Sequence, residues 1–63
     1  MADTDTVRKT VIFLRLAAAA TRRIAGTVTH ESQQIELRHV AEQCEAEAKD
    51  LASAFGLNDL LST

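Results

Sequence analysis

The sequence predicts an all-α fold, an antiparallel two-helix hairpin that dimerises into a four-helix bundle. Three observations carry this. Apolar residues recur in alternating steps of three and four along both halves of the chain. Only two glycines and no proline interrupt 63 residues. And 11 of the 29 apolar residues are alanine, so one hairpin has little area to bury. Chains this short usually add a disulfide, a metal or self-association. A single cysteine forms no internal disulfide and no zinc-ligand cluster is apparent, which leaves self-association.

Helix 1 is expected over about residues 5–25. Asp3, Thr4, Asp5 and Thr6 offer capping oxygens, and acidic groups suit the positive end of the helix dipole. Val7, Val11, Leu14, Ala18, Thr21 and Ala25 repeat at helical spacing, and Phe13, Ala17, Ala20 and Ile24 are expected to widen that stripe. Gly26 is placed to stop the helix in a left-handed turn. A turn over 26–29 is short enough for antiparallel neighbours. Helix 2 is expected over about 30–55, capped by Thr27 or Thr29, with Glu31 in its first turn. Leu37, Ala41, Cys44, Ala48, Leu51 and Phe55 hold the same phase for nearly three heptads. Gly56 ends it and aims Leu57 back at Leu51 or Ala52; the tail over 56–63 carries Leu60 and Leu61, as a cover for the bundle end or a hook. The whole chain, 1–63, reads as one domain.

The expected oligomer interface is Val7, Val11, Leu14 and Ala18 of helix 1 with Leu37, Ala41, Cys44, Ala48, Leu51 and Phe55 of helix 2. Small residues at alternate seam positions let the helices approach closely. Back-to-back hairpins would then pack at about 20°.

Charge divides unevenly within the net −2. Residues 1–25 hold five cations against two carboxylates, and 26–56 hold two against six. Flanking charges that pair between helices would set which are neighbours, at under about 1 kcal/mol per exposed pair. Arg8, Arg15 and Arg22 recur every seventh residue, with Lys9 and Arg23 beside them and Ile12 and Leu16 embedded among them. A charged stripe on a helix is first of all a solvated or intra-bundle face, and this one is otherwise the candidate partner-binding surface, suited to an acidic protein, a phosphate backbone or an anionic membrane. The net charge and the lack of Tyr or Trp make a protein the preferred partner, ahead of RNA.

Other chemistry is sparse. Glu36 and His39 have the Glu-x-x-His spacing of di-iron bundles, but they flank Leu37 on opposite sides and helix 1 has no Glu to complete a site. No metal or other cofactor is expected. Cys44 lies on the seam as a small apolar residue, and Glu42, Glu45 and Glu47 withhold the electropositive setting a thiolate needs. No nucleophile-base set or glycine-rich phosphate loop is present, so an enzyme is not expected. Asp3, Asp5 and Arg15 argue against a leader peptide or membrane span in the first third, and the unpaired cysteine fits a cytoplasmic protein.

The length, the hairpin plan, the alternating Leu37/Ala41/Cys44/Ala48/Leu51 seam and the Ala54-Phe55-Gly56 ending resemble the Rop family of small plasmid-encoded RNA-binding proteins. The resemblance implies a dimeric antiparallel four-helix bundle, and a modulator that binds paired RNA loops through the basic face of helix 1 and an exposed Phe. Phe13, the one phenylalanine of helix 1, is expected on the apolar face instead.

Overall fold

A computed structural model describes residues 3–60, and Leu61 lies outside the described part. Helix α1 spans Thr4–Ala25, helix α2 spans Glu31–Ala54, and a single 3-10 turn covers Asn58–Leu60. The two helices pack along their lengths as a hairpin, the plan expected from the periodicity.

Asp3 is the N-cap of α1. Its Oδ1 accepts the Thr6 N–H at 2.7 Å, which satisfies one of the first-turn donors. That hydrogen bond holds the Asp3 carboxyl below its ordinary value. At the other end the expected left-handed Gly26 is not found. Gly26 is right-handed, at φ −69° and ψ −16°. The chain leaves α1 through a tightened turn in which the Thr27 N–H and Oγ1 both donate to the Ile24 carbonyl, at 2.9 and 2.8 Å. Thr27 therefore closes α1 rather than opening α2. Neither Thr27 nor Thr29 caps α2; His30 holds that position with no side-chain bond. Gln34 stabilises the entry instead, donating from Nε2 to the Val28 carbonyl at 2.5 Å.

The C-terminal end of α2 follows the sequence closely. Gly56 has φ +70°, the Gly56 N–H donates to the Ser53 carbonyl at 3.3 Å, and the Leu57 N–H to the Ala52 carbonyl at 2.7 Å. This is a Schellman motif, whose hydrophobic contact brings the residue after glycine back onto the last turn. Leu57 accordingly joins Val7, Val11, Ala48 and Ala52 in the core. Leu60 packs partly against the same cluster.

Among the described residues, five of the eight buried hydrophobic ones are alanine: Ala18, Ala25, Ala41, Ala48 and Ala52. Among the large side chains of the described residues only Val11 is fully enclosed. Leu14, Leu37, Cys44 and Leu51 are half-buried at the margin of the seam. Phe55, expected as the last seam residue, is the C-cap of α2, lies outside the helical register and is 45% exposed. Ala52, one turn after Ala48, takes the buried place instead.

The described chain measures 41 × 22 × 14 Å. The smallest dimension is little more than one helix diameter of about 10–12 Å. The hairpin is a single layer, so both of its broad faces are molecular surface.

Candidate interaction surfaces

At about 100° per residue, Leu14, Leu37, Val40, Cys44 and Leu51 all lean to one side of the α1–α2 contact line. They form an apolar broad face; Leu14, Val40 and Cys44 line one shallow groove on it, with Gln43, Ala46 and Glu47 at its rim. On the other broad face Arg15, Glu45, Lys49 and Leu60 share a second groove. The first face is apolar and open, whereas the second is charged and partly covered by the C-terminal turn.

That charged face uses three of the five expected partner-binding cations inside the molecule. Arg8 pairs with Asp59 at 2.8 Å, Arg22 pairs with Glu45 at 2.5 Å, and Arg15 donates to the Leu60 carbonyl. Arg8 and Arg15 thus pin the C-terminal turn, and Arg22 clasps α2. The Arg8 guanidinium lowers the carboxyl of Asp59, and the Glu45 carboxylate raises the guanidinium of Arg22. Heptad spacing of three arginines was legible in the sequence. The pairing of Arg8 and Arg15 with the tail was not, because Asp59 is 51 residues from Arg8 and belongs to no periodic element.

The remaining expected residues separate from these. Lys9 and Arg23 are exposed and hold no ion pair among the described residues. Ile12 and Leu16 are 44% and 63% exposed and flank Arg15 in a shallow depression. Phe13 and Ile24, expected to widen the seam stripe, are 68% and 53% exposed. The physical reason is phase: Phe13 stands about 160° around α1 from Val11, so it lies nearly opposite α2.

Of the expected interface, Val7, Val11, Ala18, Ala41 and Ala48 are buried between the two helices of one hairpin. Only Leu14, Leu37, Cys44 and Leu51 reach the open apolar face. Glu36 and His39 are both exposed, and among the described residues no three His, Cys, Asp or Glu side chains are grouped to hold a metal ion. Among the described residues no helix is long and apolar enough to cross a membrane.

No protein-family model matches the chain, and neither a curated protein nor a solved structure matches it.

Proposed function

We propose that this chain is a non-enzymatic, cytoplasmic protein-interaction or regulatory module that works as a dimer of hairpins. The open apolar face carries the reading. Leu14, Leu37, Val40, Cys44 and Leu51 line one side of a layer only 14 Å thick, over a core that is mostly alanine. Domains are built from packed layers, and a second hairpin laid on this face supplies the missing one. Half-buried leucines would then become core residues, adding the large side chains that the α1–α2 seam lacks.

Sedimentation equilibrium at micromolar concentration tests the reading, with a 12–14 kDa species expected from a 6.9 kDa chain, about twice the chain mass. Leu51→Glu, which sets a charge on the open face, should return the protein to monomer. A folded wild-type monomer at that concentration would exclude the dimer.

A Rop-like RNA modulator is the second reading. The exposure of Phe13 on α1 favours it. Binding through Arg8, Arg15 and Arg22 would have to compete with Asp59, Leu60 and Glu45. Salt-dependent retention of a paired RNA hairpin, lost on Lys9→Glu and Arg23→Glu together, would support it over the protein partner.

A further inference from the structure

The outer edge of α1 has an apolar stripe that neither α2 nor the open broad face accounts for. Ile12, Phe13, Leu16 and Ile24 are four of the seven large hydrophobic residues that the described chain exposes. With Lys9 and Arg23 they fall within about 120° of arc, on the side of α1 turned away from α2. From Ile12 to Ile24 the stripe runs about 18 Å, with Lys9 just before its start and Arg23 beside its last residue, about 21 Å apart.

We infer that the Ile12–Phe13–Leu16–Ile24 edge of α1 docks an acidic amphipathic helix of a partner protein, with Lys9 and Arg23 reading carboxylates about four turns apart on that helix. The inference rests on the interaction-module reading above and adds the partner's chemistry and a surface separate from the dimer face.

The charge pattern selects this occupant. Arg8, Arg15 and Arg22 are engaged on the neighbouring face, so Lys9 and Arg23 are the cations left to meet a partner along this edge. A second copy of α1 is a poor fit. Antiparallel pairing about Leu16 sets Lys9 against Arg23 of the second copy, and parallel pairing sets each cation against itself. The outer strip of α2 is acidic but carries Glu36, His39, Gln43, Ala46 and Asp50, with Ile35 alone as a large apolar residue at its margin, too few to fill the stripe. A helix with large apolar residues at i, i+4, i+7 and i+11, and Asp or Glu beyond each end, supplies both the contacts and the charge. An anionic membrane offers the charge too, but the chain as a whole is −2 and α2 would be repelled.

The test is fluorescence anisotropy with a labelled 18-residue helical peptide, leucine at those four spacings and glutamate at both ends, against a lysine-ended copy. The glutamate peptide should bind, and the lysine peptide should bind at least about tenfold more weakly. Lys9→Glu with Arg23→Glu should reverse that preference, and Leu16→Glu should abolish binding while circular dichroism stays helical. Leu51→Glu should leave peptide binding intact while dissociating the dimer, which separates failure of this inference from failure of the dimer reading. No binding of the glutamate peptide, equal binding of both peptides, or preferential binding to phosphatidylserine vesicles or a paired RNA hairpin would each overturn it.

Discussion

A methyl group added at Gly56 would meet no atom within 4 Å, yet it should destabilise the hairpin, because φ there is +70°. An L-residue in that left-handed conformation costs about 1–2 kcal/mol. At Gly26 the backbone is ordinary helix and an added Cβ would sit 3.4 Å from the Arg23 carbonyl oxygen, at the edge of normal contact. Gly26→Ala should therefore be neutral or stabilising by up to about 1 kcal/mol. Thermal melts of the two variants check the contrast; equal losses would contradict the turn geometry. Leu57, 3% exposed, is the residue that Gly56 positions. Leu57→Ala should cost about 2–4 kcal/mol, comparable to the stability of so small a core. The capping Asp3 and the paired Asp59 both have carboxyls held below their ordinary 3.8. Each stabilises the fold above the unfolded value, and that contribution is lost as pH falls below about 4 through the folded one. Melting temperature should drop over that range, and the drop should shrink in Asp3→Asn with Asp59→Asn. An unchanged acid limb in the double variant would remove both groups from the account.

Along the helices the decisive quantity is phase. Ala48 is buried at 2% and Ala46 is exposed, although both are alanine on the same helix. Ala48→Leu has no void to fill between α1 and α2 and should cost about 1–3 kcal/mol, while Ala46→Leu should be nearly silent. Denaturant midpoints of the pair read the register directly, and matching midpoints would mean that the contact line lies elsewhere. The heptads over Val7–Ala18 and Leu37–Leu51 made this register readable, because a repeat sustained over several turns leaves one phase open. Phe13 and Ile24 depart from the expected stripe for the opposite reason: apolar residues all round a helix fit more than one phase. The ends were less legible. Thr27 could cap either helix, and its choice of the Ile24 carbonyl follows from where the chain turns, which residue type alone does not encode.

For the molecule as a whole the question is what completes one layer of alanine-lined helices. If the open face of Leu14, Leu37, Val40, Cys44 and Leu51 meets a second copy, folding and association are linked and the melting temperature should rise with protein concentration. Wild-type melts over a hundredfold concentration range should show that rise, and Leu51→Glu should flatten it. A concentration-independent wild-type midpoint would place all of the stability in the single hairpin.

The all-α hairpin, the register of its seam, the stop at Gly56 and the return of Leu57 were determined by the sequence by itself, through periodicity, small-residue spacing and local turn chemistry that act within a few residues. The tertiary structure alone decided what the charges and the spare apolar residues do. Which arginines are engaged depends on where the tail after Gly56 comes to rest, and Arg8 finds Asp59 only because Leu57 anchors that tail in the core. The separation of an open broad face from the outer edge of Phe13 and Leu16 likewise depends on which side of α1 receives α2. Contacts between residues distant in the chain settle that, and no local repeat records them.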